Sequence, residues 1–164
     1  MGKIITCTSD THMNAKKLKV PDSDIFIYSG DLSFDGSLNQ ISREIKALDK
    51  VNKHLKNRIL IAGNHDFLAE KDPAMMRNLC EEKGFIYLDE SSVEGEGFKV
   101  YGSPISPFFC DWAFNRERGS DIKKHWDNIP DDTDILVTHG PPFQILDKCD
   151  DGNMGCKDLM DAIF

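Results

Sequence analysis

The sequence predicts an α/β fold, and three observations carry that expectation. Short apolar runs rich in β-branched residues recur along the chain, and each gives way to polar residues. Segments whose apolar residues follow a helical period lie between them. The 164 residues suit one domain, taken as residues 1–164, and 40% hydrophobic with 29% charged residues fits a packed core rather than a disordered chain.

The first run, Lys3-Ile4-Ile5-Thr6-Cys7-Thr8, leads into Ser9-Asp10-Thr11-His12. The second, Asp24-Ile25-Phe26-Ile27-Tyr28, leads into Ser29-Gly30-Asp31, and the third, Arg58-Ile59-Leu60-Ile61-Ala62, into Gly63-Asn64-His65-Asp66. A later run, Asp134-Ile135-Leu136-Val137, leads into Thr138-His139-Gly140-Pro141-Pro142. Without strict alternation these read as interior strands, apolar on both faces, with Cys7 a small buried core residue.

Between the second and third runs, Ile41, Ile45, Leu48 and Leu55 form one helical stripe, with Arg43, Glu44, Lys46, Asp49 and Lys53 on the other face. Residues 73–83 read as a second helix with Asp72 as N-cap, Pro73 at its first position and Gly84 at its end. Residues 85–88 and 98–101 are short strands separated by a Ser/Glu/Gly turn. Residues 102–119 show no period and read as a long structured loop, a feature uncommon in compact domains unless it has a function. Residues 121–127 suggest a short helix, and residues 154–164 another, with Met154, Leu159, Met160 and Ile163 on roughly one face.

Lys and Arg number 20 against 28 Asp and Glu, a formal net charge of −8, so duplex nucleic acid is not an expected partner. A cation can still bring a small phosphorylated ligand to an acidic surface. No apolar run reaches the length of a membrane helix, and the N-terminal residues do not read as a secretory signal. The five cysteines are scattered without a CxxC pair and read as reduced thiols, so a cytoplasmic protein is expected.

Ligands of α/β sheets gather outside the carboxyl ends of strands. Here the strand ends deliver Asp10 with His12, Asp31, Asn64 with His65 and Asp66, and His139. Carboxylate, imidazole and amide without thiolate suit a fairly hard divalent cation: Mn²⁺, Fe²⁺, Zn²⁺ or Mg²⁺. Asp10 and His12, two apart, would share one face of an extended segment. Each motif alone reads as readily as a turn or cap, and His139 as a buried imidazole. Together and in order they point to a metal site. His54 and His125, in helical segments beside lysines, read as solvated surface.

These motifs resemble the calcineurin-like metallophosphoesterase superfamily. Ser9-Asp10-Thr11-His12, Gly102-Ser103-Pro104, Asp111-Trp112-Ala113-Phe114-Asn115 and Thr138-His139-Gly140-Pro141-Pro142 are similar to its metallophosphoesterase-domain branch. The resemblance covers nearly the whole chain. It implies a two-sheet αββα sandwich, C-terminally short, and hydrolysis of phosphate esters by metal-activated water at a binuclear centre, Mn²⁺ favoured. Carried over, Asp10 and His12 would hold one metal, Asn64 and His139 the other, and Asp31 would bridge them. His65 would protonate the leaving oxygen or stabilise its charge. Asp66 joins it as a catalytic candidate, either orienting the motif or serving as a turn or cap residue.

The resemblance favours phosphodiesters or cyclic nucleotides as substrates. Asn64, Trp112 and Arg116 are the substrate-binding candidates. Phe108, Phe109 and Phe114 are further rings that could stack a base, and Arg118 a second guanidinium for phosphate, although packing of the rings onto the core is the simpler reading. The family pattern closes with Gly-His-x-His, and no His follows His139 in this sequence. Each metal then keeps three protein ligands, which predicts weakened affinity; the alternative is a metal- or nucleotide-binding module with weak or no catalysis. A sheet edge and helix face left uncovered by that strand predict self-association.

Overall fold

Parallel pairing of the early apolar runs organises the computed structural model, which describes residues 2–164. Strands β1 (Ile5–Thr8), β2 (Ile25–Ser29), β3 (Asn57–Ile61) and β4 (Ile86–Tyr87) form one parallel sheet in that order. A 3₁₀ turn, Ala15–Lys17, follows β1; helix α1 (Leu38–Asn52) joins β2 to β3; α2 (Phe67–Lys71) and α3 (Pro73–Glu81) join β3 to β4. A second sheet has the order β5 (Ser91–Gly95), β6 (Phe98–Ser103), β9 (Ile135–Thr138), with β5 antiparallel and β9 parallel to β6. Between β6 and β9 lie the short pair β7 (Ser106–Pro107) and β8 (Asn115–Arg116), then α4 (Ser120–Trp126). The small hairpin β10 (Lys148–Cys149) and β11 (Gly152–Asn153) precedes α5 (Lys157–Ile163).

The double-sided apolar pattern of β2 and β3 has a direct structural cause. Ile25, Ile27, Ile59 and Ile61 face the second sheet and pack with Leu88, Val100 and Val137. Their alternates Phe26, Tyr28, Leu60 and Ala62 face Ile41, Ile45 and Leu48 of α1 and Met76 and Cys80 of α3. On the second sheet Leu136 packs in the cluster that holds Ile122 and Trp126 of α4 and Leu159 of α5. Helices thus cover both sheets, the expected α/β architecture. Among the described residues no helix is long and apolar enough to cross a membrane.

Local signals hold at α3, where Asp72 accepts from Met75 N with Pro73 at the first position, and α1 is capped in the same way by Ser37, which accepts from Gln40 N. Such a cap stabilises a helix by about 1 kcal/mol. Several elements differ from expectation. β1 is an edge strand pairing only with β2, so Ile5 and Cys7 are exposed rather than interior. Leu55 is buried but lies beyond the end of α1. The Ser/Glu/Gly stretch contains β5, because Ser91–Gly95 pairs antiparallel with β6 and only Glu96 and Gly97 turn. Residues 102–119 contain the end of β6 and the pair β7–β8. Met154 precedes α5 and is exposed; Leu159 alone of that expected stripe is buried.

Candidate metal centre

Because β1, β2 and β3 run parallel in close register, with Thr8 opposite Tyr28 and Tyr28 opposite Leu60, their carboxyl ends open at one rim. The chain beyond them keeps pairing: Asp10 N donates to Gly30 O (2.9 Å), His12 N to Asp31 O (3.2 Å) and Met13 N to Leu32 O (3.0 Å). It does so in left-handed conformations at Asp10 (φ 53°), His12 (φ 38°), Met13 (φ 69°) and Asp31 (φ 60°). Such residues are costly, about 1–3 kcal/mol each, and cluster at functional sites. Gly63 is required at its position, since a Cβ there would lie 2.3 Å from Asp31 Oδ1.

Three histidines at this rim share one arrangement. Nδ1 of His12, His65 and His139 lies 2.8, 2.9 and 2.8 Å from the backbone oxygens of Ser33, Phe34 and Ser29. A carbonyl only accepts, so each Nδ1 carries a hydrogen, and in the neutral ring each Nε2 presents a lone pair. This is how metal-ligating imidazoles are usually oriented. Between them stands the buried Asp31: Oδ2 is 3.5 Å from His12 Nε2 and Oδ1 is 3.5 Å from His139 Nε2. Oδ1 also accepts from His65 N at 2.9 Å.

Asn64 supplies an independent test of whether a cation fits. Its Oδ1 lies 2.7 Å from His139 Nε2, two acceptors face to face, while its Nδ2 is buried without a partner. A cation between them resolves that conflict; without one, turning the amide to offer Nδ2–H would be favoured. The donor set therefore fits a divalent metal. Ligand atoms of His12, Asp31 and His65 lie within 4.8 Å of one another, as do those of Asp10, Asp31 and His139. Both groups contain Asp31. The segment that carries Asp10 and His12 is not extended, since both residues have positive φ.

Asp66 is fully buried behind the rim. Its Oδ2 accepts from Leu32 N (3.2 Å) and Gly63 N (3.0 Å), and its Oδ1 from Ser33 N (3.1 Å) and Ser33 Oγ (3.0 Å). Burial pushes this carboxyl up, with the Asp31 charge adding, against hydrogen bonds from Gly63, Leu32 and Ser33. Its place is that of an anchor joining two ligand loops.

A cleft of about 260 Å³ opens over the centre, lined by Asp10, Asn64, Phe109, Trp112, Asn115 and His139. The ring of Trp112 lies 4.5 Å from His65 and 5.3 Å from Phe109. Ala113 N donates to Asn64 O (3.0 Å), fastening this aromatic wall to the ligand loop. Phe114 is buried in the core. Arg116 does not line the cleft: its guanidinium binds Glu70 Oε1 (3.3 Å), His125 Nε2 (3.3 Å) and Asn115 O (2.7 Å). Arg118 is likewise engaged, by the carbonyls of Gly155 and Met154. His125 is not solvated surface; its Nδ1 is 2.8 Å from Glu90 Oε1 and it is largely buried. A larger groove, about 560 Å³, follows the outer side of α1 by Lys16, Arg43, Lys46 and Lys50, apart from these residues.

Sequence reasoning missed the supports. Backbone oxygens of Ser29, Ser33 and Phe34 carry no residue-type signal. The exposed Phe34, whose ring stacks 5.1 Å from His12, looks like any loop aromatic. Glu44, expected on the outer face of α1, is 1% exposed. Its spacing held the signal, because 41, 44, 45 and 48 follow the core-facing helical pattern.

The family model described as Calcineurin-like phosphoesterase matches residues 4–163. The chain is 30% identical to metallophosphoesterase domain-containing protein 1 of Homo sapiens, across 96% of this chain and 55% of that protein. It is 28% identical to a UPF0046 protein of Caenorhabditis elegans, across 97% of this chain and 58% of that one. It is also 36% identical to part of a probable rhamnogalacturonate lyase C of Emericella nidulans, across 98% of this chain and 15% of that protein. The chain spans about half the length of the human and nematode relatives.

Proposed function

The chain belongs to the calcineurin-like phosphoesterase family, and on that premise we propose that it hydrolyses phosphodiesters, nucleotides among them, at a site for two divalent cations, Mn²⁺ favoured. Metal-dependent phosphoester hydrolysis is the family's general chemistry. The observation that carries the finer reading is Asp31, whose two oxygens face two different imidazole Nε2 lone pairs. A carboxylate so divided suits a bridge, with His12 on one side and Asp10, Asn64 and His139 on the other. Cations held there would supply Lewis-acid polarisation of a phosphoryl oxygen and an acidified attacking water.

The protein's own groups supply the rest. His65 is fixed by Phe34 O through Nδ1, which leaves Nε2 to stabilise the leaving oxygen or to pass it a proton taken up from solvent. Its nearness to His12 and Asp31 also lets it serve as a ligand instead. Asp66 acts through Gly63, Leu32 and Ser33, holding the loops of Asn64 and Asp31 at fixed separation. Trp112 and Phe109 form a wall on which a base can stack, while the cleft leaves the phosphate near Asn64 and His139.

The test is hydrolysis of bis-p-nitrophenyl phosphate and of 2′,3′-cyclic nucleotides with and without Mn²⁺. Wild type should turn over in Mn²⁺, and Asp31→Ala should fall to the uncatalysed background. Equal rates for the two proteins would sink the enzyme. Mn²⁺ binding without turnover would replace it with a metal-binding module.

A further inference from the structure

We propose that Glu44 is a positioning residue for the metal centre, acting through Thr11 and Tyr28 on the two loops that carry Asp10, His12 and Asp31. The inference rests on the metal-binding reading above. Glu44 lies on the core side of α1 between Ile41 and Leu48, where an apolar residue would satisfy packing. A buried carboxylate is costly unless its hydrogen bonds are made. Among the described residues no Lys or Arg forms an ion pair with it. Its partners are instead two donors from the segment after β1: Thr11 Oγ1 at 2.7 Å and Ala15 N at 2.6 Å, both to Oε1.

Thr11 stands between Asp10 and His12, and it is buried while Asp10 reaches the surface. With its hydroxyl hydrogen given to Glu44, Thr11 Oγ1 is left to accept from the Tyr28 hydroxyl, 2.6 Å away. Tyr28 accepts in turn from Thr11 N (3.1 Å), and its one hydroxyl hydrogen is shared between Thr11 Oγ1 and Asp31 O (3.1 Å). One carboxylate on α1 therefore reaches both loops through a single buried threonine and a single buried tyrosine. The loops it reaches hold the left-handed Asp10, His12, Met13 and Asp31. Backbone in that region persists only where its surroundings over-determine it, and this network is one of the determinants. Glu44 touches neither the cleft nor a candidate ligand atom, so it orients and does not react.

The experiment is calorimetric titration of the chain with Mn²⁺, beside thermal unfolding in chelator. Glu44→Met, which keeps the length and removes both acceptor oxygens, and Thr11→Val, which keeps the shape and removes the hydroxyl, should each bind Mn²⁺ about tenfold to a hundredfold more weakly. Thr11→Ser, keeping the hydroxyl, should bind as wild type does. Where hydrolysis is measurable, saturating Mn²⁺ should restore kcat in both weakened variants with KM for the diester unchanged. Mn²⁺ affinity equal to wild type in folded Glu44→Met and Thr11→Val would overturn the inference and leave the network a matter of stability alone. A wild type that binds no Mn²⁺ would overturn the metal-binding reading and this inference with it.

Discussion

The wall of the cleft built by the ends of β1, β2 and β3 is held from behind by buried carboxylates, whereas the opposite wall, residues 106–115, presents exposed rings. On the first side Asp66 and Glu44 are almost fully buried and take hydrogen bonds from Gly63, Leu32, Ser33, Thr11 and Ala15. On the second, Phe109 is 54% exposed, and its backbone oxygen accepts from Asn115 Nδ2 (2.8 Å). The first wall fixes ligand atoms against backbone strain; the second offers apolar surface that tolerates different bound groups. Losses on the first wall should therefore appear in stability and metal affinity, and losses on the second in substrate affinity alone.

Asp66→Ala should break this comparison most visibly if it is mistaken. Removing the carboxylate orphans the buried N–H groups of Gly63, Leu32 and Ser33, and should cost about 3 kcal/mol or more in urea unfolding. A variant within 1 kcal/mol or so of wild type would show that the anchor is dispensable. Trp112→Ala, on the facing wall, should leave unfolding nearly unchanged and raise KM for a nucleotide by about tenfold, the loss expected for one stacked base. KM for a glycerophosphodiester should not move, and a parallel rise there would mean that Trp112 shapes the cleft rather than stacks.

Arg116→Ala sharpens the same division from outside the cleft. Its partly exposed pairing with Glu70 predicts a stability loss of about 1 kcal/mol or less and no change in KM. A KM increase for every phosphodiester would return Arg116 to the substrate. The smallest effect belongs to the far end of β1, where Lys3 pairs with Asp24 and Glu96, Ile4 N donates to Asp24 Oδ2, and Asn57 Nδ2 donates to Glu96 Oε1. The backbone N–H of Ile4, then Lys3, holds the Asp24 carboxyl below its ordinary value, and Lys3, then Asn57, does so for Glu96. Depressed carboxyls contribute stability above their unfolded pKa values and lose it as pH falls through the folded ones. Hydrogen exchange at the start of β1 should accelerate below about pH 4, with the ligand loops still protected; uniform acceleration of both regions would contradict a local tether.

The legible part of the molecule follows from this contrast as well. Asp10, Asp31, Asn64, His65 and His139 each end an apolar run, so residue type and strand position together marked them, and the structure brings them to one rim. The helices α1 and α3 were legible through the stripe of Ile41, Ile45 and Leu48 and through Asp72 and Pro73, whose roles are local. What local pattern could not convey was neighbourhood. The edge position of β1 depends on sheet order, and the left-handed backbone at Asp10 and His12 depends on pairing with residues 30–32. The engagement of Arg116 by Glu70 depends on a helix 46 residues earlier in the chain. Glu44 was obscured for a different reason: its charge outweighed a spacing that placed it inside.

Mn²⁺ stoichiometry tests most directly the proposed site in which Asp31 would serve two divalent cations at the strand ends. Titration should give about two equivalents per chain for wild type and loss of both from folded Asp31→Ala at the same Mn²⁺ concentration. Two equivalents retained by Asp31→Ala, or none bound by wild type, would contradict that proposal.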